Sequence, residues 1–243
     1  MSDDASAPAI RLRWGVVRSL DGARAGAVEL SVAVDDATAP AIAYPALVGH
    51  PAVGDRVLLN TTARVLGLGT GGLDLVVAID RAPGADPPAT ARTMKARYTP
   101  LQAAVGSVEE THGAALDAMS GLGGTPVVAA PLHSLVAPIA AGARAAGAGR
   151  VAYVMTDGAA LPAGFSRLLA DLRASGLIAS TITVGQAFGG DLEAVTLWSG
   201  LLAAVGVVGA DVVVVADGPG NLGSATRWGV TALTSGLALN AAR

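Results

Sequence analysis

The sequence contains no cysteine. Thiolate catalysis, disulfide bonds and cysteine-ligated zinc are therefore excluded, although this absence is compatible with any redox compartment. A chain of 243 residues buries enough apolar surface to form a core of its own. Its stability therefore needs neither a disulfide nor a structural metal.

The chain also lacks an excess of charge of one sign. Charged residues make up 14% of the sequence, and the formal net charge is -3 at pH 7. The 16 lysines and arginines are scattered along the chain, so they form no basic stripe for nucleic acid or anionic lipid. We expect no nucleic-acid partner.

Aromatic residues are scarce, at 3%, whereas 52% of the residues are hydrophobic. One apolar stretch without a charge, residues 194–210, is close to the lower limit for spanning a bilayer. Asp191 and Glu193 precede it, Asp211 follows it and glycines interrupt it, so it is better interpreted as a helix that leads to a buried strand. Residues 1–8 contain two aspartates and no basic region, which is not typical of a secretory signal. We therefore expect a cytoplasmic protein with no membrane partner.

The first third of the chain has a β pattern. Short alternating runs are separated by glycine-rich turns, as in a small all-β barrel or sandwich. These runs are 15–19, 27–34, 41–44, 56–60 and 74–79. Residues 81–93 are rich in proline and alanine without an apolar period, which is typical of a linker. We predict a disordered or extended segment at 1–13, a β domain at 14–80, this linker, and a second domain at 94–243.

After residue 125 one pattern occurs four times: an apolar run, a polar or glycine-rich segment, and an amphipathic stretch. The apolar runs are 126–130, 151–156, 180–184 and 211–216. Strands that alternate with helices specify a parallel sheet, so the predicted fold is α/β, with a Rossmann-like parallel sheet flanked by helices. Because the sites of such sheets lie at the carboxyl ends of the strands, the polar segments are the candidate sites.

Other segments of the second domain suggest further elements. We predict a first strand near 102–108, a helix over about 111–119, and a helix after the second run that ends at Gly176. The next helix has Asp191 as its candidate N-cap. The last helix runs to Arg243 with no strand after it, although a doubly wound unit normally returns to the sheet. We therefore expect the α/β domain to lack its C-terminal strand or strands.

Several long motifs carry a resemblance to a known family. They are LLNTTA (58–63), LGLGTGG (66–72), MKARYTPLQ (94–102), YVMTDGAALP (153–162) and AFGGDLEAV (187–195). With these motifs the chain resembles an uncharacterised bacterial family, a domain of unknown function. The resemblance implies a longer protein with a further strand and a histidine-containing tail, but it implies no reaction. The chain departs from the family's pattern in the glycine-rich segment 218–226 and at Leu135, where the family has glutamine.

A glycine-rich segment follows the fourth run. Gly218, Gly220 and Gly223 match G-x-G-x-x-G between a valine-rich strand and a predicted helix. Such glycines let backbone N–H groups approach an anion at a helix start. The predicted ligand-binding residues here are Gly218, Gly220, Asn221, Gly223, Ser224 and Thr226. No acidic residue lies about 20 positions further on, so a phosphate or carboxylate is favoured over a nicotinamide dinucleotide, and a plain tight turn is the alternative.

His133, Asp157 and Asp191 are the predicted catalytic residues, because each follows or ends a predicted strand. A histidine with two carboxylates suits proton transfer or a divalent cation such as Mg²⁺. The alternative is a turn histidine with two helix-capping aspartates. The serine in residues 164–167 does not stand in a G-x-S-x-G motif, so the sequence predicts no Ser-His-Asp triad.

Lys95, Arg97 and Tyr98 form a cationic and hydroxylic cluster just beyond the linker. Clefts between domains commonly hold ligands, and Arg with Lys suits a carboxylate or phosphate. We therefore add these three residues to the predicted ligand-binding set. A hinge with solvated charges is the alternative interpretation.

Two kinds of function fit these patterns. The first is an α/β domain, acting as an enzyme or not, that binds a small anionic or phosphorylated ligand at the carboxyl ends of its strands; the sequence indicates no particular cofactor. The second is a non-catalytic assembly or binding subunit whose glycine-rich segment is only structural. The high apolar content also suggests that a partner covers some helix surface, and we expect a homodimer.

Overall fold

The computed structural model describes residues 9–69, 71–81, 84, 86–87 and 89–243. The chain divides into two compact units, Met1–Ala85 and Asp86–Arg243. Parts of three predictions lie outside the described residues. They are residues 1–8 of the N-terminal segment, Thr70 of one family motif, and residues 82, 83, 85 and 88 of the linker.

The first unit contains a closed barrel of five strands. The strands are β1 (Leu12–Arg24), β2 (Ala27–Val34), β3 (Ala37–Ala43), β4 (Arg56–Asn60) and β5 (Asp74–Ile79). Their order around the barrel is β1-β2-β3-β5-β4, and β4 pairs back onto β1. The β3–β5 pairing is parallel and the other pairings are antiparallel. One-turn helices α1 (Pro45–Val48) and α2 (Thr62–Val65) stand between β3 and β4 and between β4 and β5.

Alternation of side chains builds the barrel core. Along β2, Leu30 and Val32 are fully buried, whereas Glu29 and Ser31, which alternate with them, are partly exposed. Gly15 lies where a Cβ would be 2.6 Å from the Val32 side chain, so glycine lets β1 approach β2 there. Asp74 is also fully buried, and Arg64 binds its carboxylate through two hydrogen bonds of 2.9 Å. Of the two predicted β folds, a small barrel or a sandwich, the structure has the closed barrel.

The second unit starts with an antiparallel ribbon of β6 (Thr93–Lys95) and β7 (Ala103–Val105), followed by helix α3 (Val108–Asp117). The strand predicted near 102–108 corresponds to β7, but among the described residues it pairs with β6 and does not join the parallel sheet. Helix α3 begins before the predicted residue 111, with Ser107 as its N-cap residue. The Ser107 backbone N–H donates a 2.9 Å hydrogen bond to Glu110, as in a capping box.

An all-parallel sheet of five strands forms the centre of this unit. Its strands are β8 (Val127–Ala129), β9 (Val151–Thr156), β10 (Ser180–Val184), β11 (Leu192–Ala194) and β12 (Val212–Asp217). The order across the sheet is β11-β10-β9-β12-β8. The four predicted runs correspond to β8, β9, β10 and β12. The continuous burial of β9 and β10 explains their uninterrupted apolar character.

Helices cover both faces of the sheet. The remaining helices are α4 (Val136–Ala145), α5 (Arg167–Ala174), α6 (Leu197–Gly206) and α7 (Ser235–Ala241). Ala152 and Val154 of β9 pack in one cluster with α3, α6 and α7, whereas Tyr153 and Met155 pack in another with α4 and α5. Alternate residues of a strand point to opposite faces, so the unit has three layers. A mixed α/β fold with a parallel sheet flanked by helices is therefore confirmed.

The segment around Asp191 differs from the prediction. Asp191 does not cap a helix, because it precedes β11, and Thr196 caps α6 instead by accepting a hydrogen bond from the Ser199 backbone N–H. Residues 185–191 connect β10 directly to β11 without a helix. The uncharged stretch 194–210 contains α6 and leads to β12, as expected. Among the described residues, no helix has the length and apolar character needed to cross a lipid bilayer.

Candidate functional site

Three of the predicted polar segments lie at the carboxyl edge of the sheet. Asp217, the last residue of β12, is in register with Thr156, the last residue of β9. His133 follows β8 in a single turn over His133–Leu135, and its Nδ1 lies 3.3 Å from the Asp217 backbone oxygen. The ends of β8, β9 and β12 therefore bring their polar residues together.

The chain leaves β9 and β12 on opposite faces of the sheet. After β9 it continues into α5, which packs with Tyr153 on one face, and after β12 it continues into α7, which packs with Val154 on the other. Neighbouring parallel strands whose connections diverge in this way form a crevice at the sheet edge. We name the sheet edge between Thr156 and Asp217, where the topology places such a crevice, the switch crevice.

The Asp217 carboxylate accepts several hydrogen bonds at the switch crevice. Asp217 is 2% exposed. Its carboxylate accepts hydrogen bonds from Thr156 Oγ1 at 2.6 Å, the Gly158 backbone N–H at 3.2 Å, Thr234 Oγ1 at 3.2 Å and Asn221 Nδ2 at 3.3 Å. These donors come from β9 and the residues directly after it, from the loop after β12 and from the turn before α7. One buried carboxylate therefore holds three segments at the crevice.

His133 is buried beside this carboxylate rather than exposed on the edge. Its Nδ1 lies 3.1 Å from Tyr153 Oη, and its Nε2 lies 2.7 Å from Ser166 Oγ. Burial lowers the pKa of His133, and the hydrogen bond to the Asp217 backbone oxygen only partly opposes this shift. The imidazole is therefore held neutral near pH 7, in the state that accepts a proton.

Asp157 extends the polar edge towards β10. Its Oδ2 accepts a 2.8 Å hydrogen bond from the Gln186 backbone N–H, and its carboxylate occupies the space that a Cβ on Gly185 would need. Gln186 Oε1 in turn accepts a 3.1 Å hydrogen bond from the Arg97 backbone N–H. Asp157 and Arg97, which are far apart in the sequence, are therefore linked through Gln186.

Tyr98 and Ala96, two residues before it, have unusual backbone conformations. Their φ angles are +58° and +47°, a region that is unfavourable for residues with a Cβ. Tyr98 is 99% exposed, and its backbone N–H donates a 3.2 Å hydrogen bond to Gln102 Oε1. The Tyr98 ring is therefore presented to solvent at this end of the sheet.

Lys95 is a buried ion-pair residue, not an exposed cation. Its side chain has no exposed surface, and Nζ lies 3.3 Å from Glu193 Oε2. Nζ also donates to the backbone oxygens of Gly185 at 3.0 Å and Ala194 at 3.2 Å. Burial lowers the pKa of Lys95 and raises that of Glu193, and the attraction between the two opposes both shifts. Lys95 therefore anchors β6 to the ends of β10 and β11, so the expectation of a solvated hinge charge is wrong for it.

Asp191 lies at the opposite edge of the sheet. Its carboxylate accepts a 2.7 Å hydrogen bond from the Thr181 backbone N–H, at the amino end of β10, and forms an ion pair of 2.8 Å with Arg173. The structure therefore separates Asp191 from His133 and Asp157. The expected grouping of all three is wrong, because the chain returns along the sheet before β11. Among the described residues, no group of three or more His, Asp or Glu side chains is arranged to hold a metal ion.

The glycine-rich segment is not a tight turn into a helix. After Asp217 the chain forms an excursion in which Gly223 bridges Val230, and α7 begins only at Ser235. Ser224 and Thr226 lie in the exposed part of this excursion, and their hydroxyls are 2.7 Å apart. Only its start, Gly218 to Asn221, lies at the switch crevice, so the expected helix start beside the glycines is absent from the described chain.

A comparison with known protein families identifies the family of the chain. The family described as "Protein of unknown function (DUF3866)" matches residues 40–243. The chain belongs to the DUF3866 family. The match begins in β3 and includes the whole α/β unit, so the resemblance to a domain of unknown function is confirmed. No curated protein and no solved structure matches the chain.

Three residues of the candidate site in this DUF3866 protein were not predicted as site residues. Tyr153 has the sequence context of a core residue inside a buried strand, and Ser166 has that of a helix cap. Asp217 ends a valine-rich run, and a lone carboxylate directly after such a strand was the available signal. The other two residues are recognised only from their contacts with His133.

Proposed function

We propose that the α/β unit binds a small ligand with a phosphate or carboxylate group in the switch crevice, with His133 as an acid–base group. The arrangement that supports this proposal is Rossmann-like: a parallel sheet between two helix layers, with divergent connections after β9 and β12. Ligands of open α/β sheets bind at such divergent points. The divergence favours the switch crevice over other parts of the unit.

Unpaired backbone donors at the start of the glycine-rich segment carry the proposal. The backbone N–H groups of Gly220 and Asn221 donate no hydrogen bond to any described residue. Successive backbone N–H groups form concave sites for anions. A phosphate or carboxylate oxygen would give these donors their missing acceptor.

The close packing around Gly218 supports a defined position for these donors. A Cβ at Gly218 would collide with the backbone oxygen of Ala160 and lie 2.6 Å from Met155 Cε. The Asn221 side chain donates to the Pro131 backbone oxygen at 3.1 Å, so the other end of this short segment is also held in place. Preorganised donors bind an anion without the entropic cost of ordering a loop.

The position of α7 argues against a nicotinamide dinucleotide. In the dinucleotide fingerprint the helix follows the glycines directly and its N-terminus faces the pyrophosphate. Here residues 218–234 separate β12 from α7. The proposed ligand is therefore a small anion or phosphorylated metabolite that contacts backbone amides rather than a helix terminus. We place this function in the cytoplasm.

A role in assembly is the second candidate. Trp198 of α6 and Leu237 of α7 are each 56% exposed, and large exposed apolar side chains often mark a protein interface. The expected homodimer would cover these helices. Sedimentation of the intact chain and of Trp198→Glu tests this candidate, because a dimer held by this surface would become a monomer.

Thermal unfolding with inorganic phosphate, sugar phosphates, nucleotides and simple carboxylates tests the ligand proposal. A ligand at about 100 times its Kd adds about 2.7 kcal/mol to the free energy of unfolding, which raises the midpoint by about 5–10 °C for a domain of this size. We expect at least one of these anions to produce such a shift. A flat response to all of them, relative to chloride at equal ionic strength, would refute the proposal.

Two glycine variants locate the ligand. Gly220 and Gly176 both have positive φ angles, +85° and +71°, and nothing lies within 4 Å of a Cβ built on either one. Replacement by alanine therefore introduces similar backbone strain, about 1–2 kcal/mol, at the crevice or at the end of α5. We expect Gly220→Ala to lose the anion response and Gly176→Ala to keep it.

A further inference from the structure

Ser166 and His133 form a close pair beneath the switch crevice. Ser166 Oγ lies 2.7 Å from His133 Nε2, within the range for a strong hydrogen bond between a hydroxyl and an imidazole. Ser166 is 5% exposed and His133 is 7% exposed. The contact joins the turn after β8 to the first residue before α5, so the folded chain brings together two groups that the sequence separates.

The hydrogen-bond partners determine the tautomer of His133. Tyr153 Oη donates to the Asp217 backbone oxygen at 2.8 Å. The lone pairs of Oη are therefore available to accept a hydrogen bond from another donor. If Nδ1 carries the proton, it donates to Tyr153 Oη at 3.1 Å, and the unprotonated Nε2 accepts the Ser166 hydroxyl proton. With the opposite tautomer, the Ser166 hydroxyl would find no acceptor among the described residues. The first tautomer therefore satisfies every donor.

This tautomer is the one that activates a serine. A serine nucleophile needs an imidazole nitrogen that accepts its proton and a second group that orients the imidazole through the other nitrogen. His133 Nε2 provides the acceptor, while Tyr153 Oη and the Asp217 backbone oxygen hold Nδ1. The Tyr153 hydroxyl and the Asp217 backbone oxygen therefore take the place of the carboxylate that usually orients the histidine. Burial also lowers the pKa of His133, which keeps it in the basic form near neutral pH.

The start of α5 adds a second feature of such sites. Ser166 is the N-cap residue, and its Oγ accepts a 2.9 Å hydrogen bond from the Leu169 backbone N–H. The N-terminus of a helix carries the positive end of its dipole. Negative charge that develops on an oxygen next to Ser166 would be stabilised there.

We propose that Ser166 is a nucleophile and His133 its general base, in an acyl-transfer reaction on an ester or thioester. Ser166 Oγ forms a bond to the carbonyl carbon and its proton moves to His133 Nε2. The proton then passes to the leaving oxygen or sulfur as the bond between it and the carbonyl carbon breaks, which leaves an acyl-serine and a free alcohol or thiol. Water hydrolyses the acyl-serine by the same transfers in reverse, releasing a carboxylic acid.

This proposal goes beyond the anion site and does not depend on it. Both proposals use His133, but the nucleophile is Ser166, whereas the anion is held by the backbone amides of Gly220 and Asn221. Loss of the anion response in Gly220→Ala therefore leaves the serine reaction in place, and failure of the serine reaction leaves the anion response in place.

An alkyl fluorophosphonate tests the proposal on the intact chain. In its reaction the Ser166 Oγ–P bond forms as the P–F bond breaks, and hydrogen fluoride leaves. We expect a single phosphonyl adduct by intact-mass measurement, located at Ser166 by peptide mass spectrometry. The rate of adduct formation should stay constant as the pH is lowered to about 6.5, the ordinary pKa of histidine. Because the pKa of His133 is lower than this value, the rate should fall only at more acidic pH. Absence of an adduct on the folded protein would overturn the proposal.

Variants separate a nucleophile from a structural serine. Ser166→Ala removes both the hydroxyl and the helix cap, whereas Ser166→Asn keeps a capping oxygen; we expect neither to be labelled. His133→Gln should label at least about 100-fold more slowly, the lower limit for the loss of a general base. Ser175→Ala, at the exposed other end of α5, should label like the unmodified protein. Equal labelling of Ser166→Asn and the unmodified protein would contradict the assignment.

Discussion

Thr156 Oγ1 donates a 2.6 Å hydrogen bond to Asp217 Oδ1, which joins the last residues of β9 and β12. The bond is buried and its acceptor is a carboxylate. Hydrogen bonds to charged groups contribute about 1.5–3 kcal/mol each.

Thr156→Val should lower the free energy of unfolding by about 1.5–3 kcal/mol, because valine keeps the shape of threonine but leaves the buried carboxylate without this donor. Urea denaturation of the purified chain measures the loss. Thr181→Val is the matched control. The Thr181 hydroxyl is buried in β10 without a hydrogen-bond partner among the described residues, so its removal should leave stability unchanged or raise it. Equal losses for the two variants would show that the Asp217 contact contributes nothing specific.

Gly158→Ala should destabilise the α/β unit. A Cβ at this position would lie 2.6 Å from both carboxylate oxygens of Asp217, and such overpacking costs about 1–3 kcal/mol. Gly142→Ala provides the contrast, because Gly142 lies inside α4 with nothing within 4 Å of the added Cβ. There alanine should stabilise the helix by about 0.5–1 kcal/mol. Thermal midpoints that move in opposite directions are expected, and a fall in both would be inconsistent with the close contact.

Acidification should destabilise the folded state through His133. Burial places its folded-state pKa below the unfolded value of about 6.5. Below about pH 6.5 the unfolded chain therefore binds a proton that the folded chain does not, and stability falls until the pH reaches the folded-state pKa. The contribution is complete above about pH 6.5 and is lost at up to about 1.4 kcal/mol per pH unit.

Urea titrations of the unmodified chain and of His133→Gln, from pH 7.5 to pH 5, measure this contribution. Carboxylates and the two other histidines contribute equally to both proteins, so the difference between the two curves reports His133. We expect a flatter curve for the variant. Parallel curves would mean that His133 has the same pKa in the folded and unfolded states.

Lys95→Met should cost about 3–5 kcal/mol, because it leaves the Glu193 carboxylate buried without its cation. Glu193→Gln removes the other partner, and the double variant removes the pair. Because neither charge then remains buried, the double variant should lose less stability than the sum of the two single variants. Urea unfolding of all four proteins gives the coupling energy, and strict additivity would show that the two charges do not interact.

Much of the fold could be predicted because buried parallel strands leave a strong signal. The four valines before Ala216 and the run from Val151 to Thr156 are uninterrupted apolar segments with polar residues directly after them. The barrel strands give the second signal, alternation, as in Leu30 and Val32 of β2. Both signals come from residues that are close together in the sequence, so they can be recognised without knowledge of tertiary contacts.

The parts that were missed depend on contacts between distant residues. Strand β11 spans only Leu192–Ala194 and includes a glutamate, so it shows neither an apolar run nor a period. Lys95 and Arg97 look alike in the sequence, yet only Lys95 meets a buried carboxylate. The closeness of Ser166 to His133 arises because α5 and the turn after β8 pack on the same face of the sheet.

Among the described strands, the closed barrel has no edge strand, whereas the parallel sheet has one on each side. Closure through the β3–β5 pair gives every barrel strand two neighbours, whereas the sheet ends at β8 and β11, strands of three residues each. An edge strand of this length offers few main-chain donors and acceptors to a strand of another molecule. The molecule therefore carries built-in protection against edge-to-edge aggregation, even though more than half of its residues are hydrophobic.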